Sequence, residues 1–232
     1  MSRSLRVEGL GRICAPVIET TVERALKTIR EANRLADLIE LRIDYLRKPD
    51  LLALLKEGEK PVIVTNRRKE EGGRYQGDER MRVEILREAI ELEAEYVDVE
   101  IGTERSVLKD LMADKKETEF ILSFHDFRKT PSERELRRLY ERMTRLGPGI
   151  IKMVTFAKSW QDNLKVLTLI PYAKGRKQKI VAFCMGEKGK ISRVFAPMMG
   201  AAWTYASLNK KRVSAPGQLT IQEMRDIWKR LR

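Results

Sequence analysis

Two rhythms of apolar and polar positions take turns along this chain. Short apolar runs lie near 12–18, 37–44, 61–66, 95–101, 119–125, 149–156, 179–185 and 211–214. Runs of that length, bounded by turn-forming residues, read as strands. Between them, stretches such as 21–35, 78–93, 132–145 and 159–171 repeat their apolar residues every three or four positions, which puts one apolar stripe on a helix. Eight strand–helix units in succession predict an α/β fold, a (β/α)8 TIM barrel in which parallel strands close on themselves inside a ring of helices. A chain of 232 residues is long enough for one such barrel, so residues 1–232 are read as a single catalytic domain.

Several of these strands also carry charge. In Ile39-Glu40-Leu41-Arg42-Ile43-Asp44-Tyr45 the apolar and charged residues alternate, and a period of two sets Glu40, Arg42 and Asp44 on one face. Outer helices cover the apolar alternates, so the charged set turns into the barrel. Tyr96-Val97-Asp98-Val99-Glu100-Ile101 repeats the arrangement with Asp98 and Glu100. Charges removed from water persist only when they pair with one another or serve a ligand. One such strand alone reads as an edge with a wet face; several central ones point to a polar barrel mouth.

Lys152 sits inside the apolar run Ile150-Ile151-Lys152-Met153-Val154-Thr155-Phe156. The only histidine, His125, closes the run Phe120-Ile121-Leu122-Ser123-Phe124. A buried lysine must lose its charge or find a partner. The neutral amine condenses with ketones, and an imidazole is the side chain best suited to move protons near neutrality. The bland reading is a lysine that snorkels to water from a strand edge.

Charge changes this picture little. The excess of 47 Lys and Arg over 34 Asp and Glu gives +13, which raises nucleic acid or anionic lipid as partners. The basic residues are, however, interleaved with acids and apolar positions, as in Arg225-Asp226-Ile227-Trp228-Lys229-Arg230, and six Phe and three Trp are too few for a stacking platform. Most of this charge reads as solvated surface that helps draw in an anionic metabolite. Cys14 and Cys184 lie in apolar runs without a CxxC motif, and read as buried free thiols. Neither a signal-peptide pattern nor an apolar run of membrane-spanning length is present, so the expectation is a cytoplasmic protein without nucleic-acid or membrane partners.

Seven ordered segments then carry a resemblance. They are Glu40-Leu41-Arg42-Ile43-Asp44; Thr65-Asn66-Arg67 followed by Glu71-Gly72-Gly73; Asp98-Val99-Glu100; Ser123-Phe124-His125-Asp126-Phe127; Ile151-Lys152; Ser192-Arg193; and Ser214-Ala215-Pro216-Gly217-Gln218. Taken together the chain resembles the type I 3-dehydroquinate dehydratases of the shikimate pathway. The resemblance implies a (β/α)8 barrel that dehydrates 3-dehydroquinate to 3-dehydroshikimate without cofactor or metal, and a homodimer. It implies that Lys152 forms a Schiff base, that His125 is general base and acid, and that Glu71 orients His125. It further implies that Glu40, Arg42 and Arg67 meet the substrate's hydroxyls, that Arg193 grips its carboxylate, and that Ser214 and Gln218 reach it from a closing loop. Where some members carry a substrate-contacting serine at the end of the first strand, this chain has Ile13-Cys14-Ala15-Pro16, and nothing is carried over there.

Three other readings compete. A Schiff-base aldolase or transaldolase shares the lysine logic, but no glycine-rich phosphate site follows strands seven and eight. A basic binding protein has no reason to keep charges at strand ends. A metal enzyme using Asp98, Glu100 and His125 would set a divalent ion beside Lys and Arg, which repel it. The segments 198–208 and 221–231, expected as exposed helices, are candidates for the dimer interface or for packing on the barrel.

Overall fold

The structure, a computed structural model, describes residues 11–231. Its strands are β1 (Ile13–Val17), β2 (Leu38–Arg42), β3 (Val62–Thr65), β4 (Tyr96–Glu100), β5 (Glu119–His125), β6 (Ile150–Phe156), β7 (Lys179–Met185) and β8 (Thr204–Tyr205). Its helices are α1 (Val22–Leu35), α2 (Leu51–Glu57), α3 (Glu79–Glu91), α4 (Arg105–Ala113), α5 (Glu133–Thr144), α6 (Asp162–Leu167), α7 (Leu169–Lys174), α8 (Lys190–Met198) and α9 (Ile221–Arg230). Helix starts follow local chemistry. Thr21, Asp50 and Asp78 each accept a backbone N–H of the first turn, and Ser132 with Glu135 and Thr220 with Glu223 form reciprocal capping boxes.

All strands pair in parallel in the order β7-β6-β5-β4-β3-β2-β1-β8. The Ala202 N–H, just before β8, donates to the Ile180 oxygen on β7 at 2.8 Å, which draws the two ends of the sheet into a nearly closed barrel. Outward residues such as Leu41, Val99, Leu122 and Met153 pack against the helices. Inward, Cys14, Leu38, Ile63, Ile121, Ile150 and Trp203 form an apolar plug. Each plug residue on β2, β3, β5 and β6 precedes by two positions a polar inward one: Glu40, Thr65, Ser123 and Lys152. The amino-terminal half of the interior is therefore dry, and the polar groups gather at the carboxyl ends. Each fully buried Ile or Leu of the plug contributes about 1.5–3 kcal/mol.

Three expectations are corrected. The eighth strand is Thr204–Tyr205, not 211–214, which is loop. In Lys211-Arg212-Val213-Ser214 the lone apolar residue, Val213, is 41% exposed, and Arg212 pairs with Glu19 and Glu31. The real strand is only two residues long, held by Thr204 N–H to the Arg12 oxygen and Ala206 N–H to the Cys14 oxygen. Consequently 198–208 is not an exposed helix: α8 ends at Met198, the chain turns at Gly200 with φ of +106°, and β8 follows. The helix expected over 159–171 begins at Asp162, whose carboxylate accepts the N–H groups of Lys158 and Ser159 and holds a turn there. It is interrupted at Thr168 before continuing to Lys174. In α9, Ile221, Met224 and Trp228 are buried, so its apolar stripe faces the molecule.

Candidate active site

The carboxyl ends of the strands surround a cavity whose lining includes Glu40, Arg42, Arg67, Glu71, His125, Lys152, Arg193, Ser214 and Gln218. All nine residues singled out in the sequence thus meet in one place.

Lys152 has found partners. Its Nζ donates to Glu40 Oε1 at 3.0 Å and to Asp98 Oδ2 at 2.8 Å, with the side chain 5% exposed. Burial disfavours charge on Asp98, but the Arg67 and Lys152 cations beside it outweigh burial and hold its carboxyl far below the usual range. Asp98 is a fixed anion. Glu40 Oε1 also accepts from Thr65 Oγ1 at 3.1 Å, so β2, β3 and β6 converge on one oxygen.

Beneath this pair runs a guanidinium–carboxylate network. Arg67 donates to Asp98 Oδ2 at 2.9 Å, to Glu100 Oε1 at 2.7 Å and to Ser123 Oγ at 2.7 Å. Arg82, fully buried on α3, donates to Glu100 Oε2 at 2.9 Å. Arg42 forms a two-pronged pair with Asp44 at 2.8 Å for each bond. Asp44, expected on the strand, lies in a tight turn over Ile43–Tyr45, where it also accepts the Arg67 and Arg74 N–H groups. Thus Arg67 lines the cavity but directs its N–H groups to protein anions.

His125 ends β5 beside β6, in the register Ser123↔Lys152 and His125↔Val154, so the imidazole and the lysine open into the same mouth. Glu71, rather than its neighbour Glu70, reaches it: Glu71 Oε2 lies 2.9 Å from both the backbone N and Nδ1 of His125. The left-handed Gly72, φ +80°, sits against the Phe127 ring, which stacks on His125 at 6.5 Å and covers the outer side of the site. Burial, reinforced by the Arg67 and Lys152 charges, pushes the His125 imidazole well below its ordinary range. Burial raises Glu71 to about 7; Arg67 opposes the rise and Glu100 adds to it.

Arg193 is not a surface residue near Lys188 and Lys190. It is 1% exposed, its guanidinium lies 4.5 Å from the Phe183 ring centroid, and its Nε has no partner among the described residues. Burial without an acidic neighbour pulls its pKa down. Its Nη2 donates to the Pro216 oxygen at 3.5 Å, but no carboxylate among the described residues balances the charge, and a buried fork without a counter-anion at a cavity is a receptor for an anion. Over it folds the loop after β8. Gly186 N–H donates to the Pro216 oxygen at 3.0 Å, and Gly217, φ +71°, packs so tightly on the Gly186 carbonyl that a Cβ would collide. Ser214 N–H and Oγ donate to Gln218 Oε1 at 2.8 and 3.1 Å, leaving Gln218 Nε2 without a partner among the described residues.

Tyr205, Phe183, Ser123 and Arg82 escaped the sequence reading as site residues. For Tyr205 a signal existed, the inward alternation Trp203-Thr204-Tyr205, but it belongs to a strand too short for periodicity to register.

Fold and cavity define a (β/α)8-barrel enzyme with its site at the carboxyl ends of the strands. The profile of the type I 3-dehydroquinase family matches residues 13–232, so the chain belongs to that family, the hydro-lyases of the shikimate pathway. It is 38% identical over 221 residues to the 3-dehydroquinate dehydratase of Methanocaldococcus jannaschii, spanning 94% of this chain and 97% of that protein. Among solved structures it is similar to the 3-dehydroquinate dehydratase of Geobacillus kaustophilus, with a TM-score of 0.87 and 27% identity over 95% of this chain and 91% of that one. The type I enzyme of Clostridium difficile, solved with covalent modified comenic acid, gives the same TM-score and identity over 97% and 93% of the two chains. Among the described residues no helix is long and apolar enough to cross a membrane.

Proposed function

We propose that this chain dehydrates 3-dehydroquinate to 3-dehydroshikimate through an imine on Lys152, with His125 carrying the protons. The observation that supports this most is that Lys152 Nζ, anchored by Glu40 and Asp98, opens into the same cavity as His125 from the adjoining strand. A relative that holds a covalently modified ligand supports covalent chemistry in the family.

The steps balance without oxidant or cofactor. The Lys152 ammonium and the C3 ketone give a protonated imine and one water, once a proton is passed to the departing oxygen. His125 Nε2 takes a proton from C2, and the C–H electrons flow into the imine to make an enamine. The enamine expels the C1 hydroxyl while the His125 imidazolium returns its proton to that oxygen, which leaves as water. A water then hydrolyses the conjugated imine and frees Lys152. The net change is loss of one water. Glu71 holds Nδ1–H, so that Nε2 carries the lone pair, and the depressed basicity of His125 keeps it neutral before it acts.

Arg193, buried without a counter-anion, takes the substrate's carboxylate. Arg42, Arg67, Glu40, Ser214 and Gln218 surround its hydroxyls, the free Nε2 of Gln218 being one available donor. Residues 1–232 act as one domain in the cytoplasm. The second copy of a homodimer meets the exposed apolar side chains Ile191, Phe195 and Met198, which share one face of α8, together with Trp160 and Leu164 at the adjoining α6.

The test is intact mass after incubation with 3-dehydroquinate and borohydride, comparing wild type with Lys152→Ala. An adduct in wild type alone is the expected result. Unmodified wild type that produces no dehydroshikimate absorbance would sink the reading.

A further inference from the structure

The contact that bears on Lys152 besides its two carboxylates is an aromatic face. Lys152 Nζ lies 4.5 Å from the centroid of the Tyr205 ring. The Tyr205 hydroxyl donates to Glu40 Oε1 in a long hydrogen bond of 3.4 Å, so the part of Tyr205 that meets Lys152 is its ring. Tyr205 is 4% exposed, paired in register with Cys14 across β1 and β8. Its ring is tilted by 51° against Phe183, centroids 5.9 Å apart. Phe183 in turn lies under the Arg193 guanidinium. Two buried cavity cations, Lys152 and Arg193, therefore each rest on one ring of a single aromatic pair.

We propose that the π-face of Tyr205 is a catalytic element that stabilises the positive charge of the protonated imine on Lys152. This rests on the imine assigned to Lys152 above. An ammonium has three N–H donors, and here two of them bond Glu40 and Asp98. A protonated imine has one. At least one carboxylate must lose its hydrogen bond at the moment when the nitrogen becomes the electron sink for C–H cleavage. Attraction to an aromatic face needs no N–H, only positive charge within about 6 Å, so it survives the change of bonding. A carboxylate can also remove the imine proton and extinguish the sink; a ring face cannot. Burial, with Glu40 beside it, raises the Tyr205 hydroxyl well above its ordinary range, so the ring stays a neutral phenol.

The experiment replaces Tyr205 by Phe, by mono-, di- and trifluorinated phenylalanine, and by Leu. The single-turnover dehydration rate is read together with the yield of borohydride-trapped Lys152. Fluorine drains the ring's negative face with little change of shape, so a purely structural role is insensitive to it. Tyr205→Phe is expected to stay within about threefold of wild type, with the rate stepping down to about tenfold lower at three fluorines and KM unchanged. Tyr205→Leu should fall by at least as much as the trifluorinated ring. A flat fluorine series, with adducts still forming on Lys152, overturns the role of the ring alone. Absence of any adduct in wild type overturns the imine and this inference together.

Discussion

Glu71 Oε2 accepts two hydrogen bonds from one residue, the backbone N–H and the ring Nδ1–H of His125, each at 2.9 Å. The carboxylate is pinned to the peptide that carries the imidazole, so the ring cannot rotate without leaving the one acceptor that selects its tautomer.

The pH dependence of turnover follows from this pair. Burial raises Glu71 to about 7, whereas burial and neighbouring cations keep His125 neutral well below that. As pH falls through about 7, Glu71 takes up a proton, and its bond to Nδ1–H loses the negative charge that strengthens it and stabilises the imidazolium. The pH–rate profile should therefore show an acid limb near 7 that belongs to Glu71. Glu71→Gln should abolish that limb and slow turnover about 10²-fold, the lower end of what positioned proton transfer contributes.

Stability should respond with the opposite sign. A carboxyl raised on folding from 4.5 to about 7 holds its proton more tightly in the native state than in the unfolded one. Its contribution favours the fold at the acid end and is lost as pH rises from about 4.5 through about 7. Glu71→Gln, which cannot ionise, should melt at higher temperature than wild type at pH 8 and show little difference at pH 4.5. Equal melting shifts at both values would contradict the buried charge as the cause.

Arg67 is the keystone of the interior charges. Its side chain is 2% exposed and bridges Asp98 and Glu100, both inaccessible to solvent. Arg67→Met would strand two buried carboxylates, with Lys152 and Arg82 left to compensate in part. The expected loss is about 3–5 kcal/mol, read from the denaturation midpoint at unchanged slope.

Arg193 should behave in the reverse way. With no acid beside it, its guanidinium is a net cost to the empty fold and a gain only when an anion arrives. Arg193→Met should unfold at the same or a higher denaturant concentration than wild type. KM should rise about 10–100-fold, the loss of one charge-assisted contact. A destabilised variant with unchanged KM would mean that Arg193 is structural.

Much of this arrangement is legible in the order of residues. Alternation along Ile39–Asp44 and Tyr96–Ile101 places Glu40, Arg42, Asp98 and Glu100 inward, since side-chain direction along a strand depends only on local backbone geometry. Lys152 and His125 stand out because charge or imidazole inside an apolar run requires an explanation. Glu71, a loop residue with Glu70 beside it, has no such local signature; only counting from Arg67 singles it out, and the fold brings it, not Glu70, to His125. The eighth strand fails for a related reason. Two residues carry no measurable period, and Thr204–Tyr205 is a strand because β1 lies ready to receive it.

What the order of residues determines here is local: the first seven strands, the inward face of each, and the presence of one lysine and one histidine at neighbouring strand ends. Whether Lys152 is neutral or paired was open until the barrel closed and brought Glu40, 112 residues away, to its Nζ. The same closure set Tyr205 against it, 165 residues from the glutamate that both touch. Periodicity tells which way a side chain points; which side chains then meet is decided by the ring of strands, because partners across a barrel interior share no local backbone geometry.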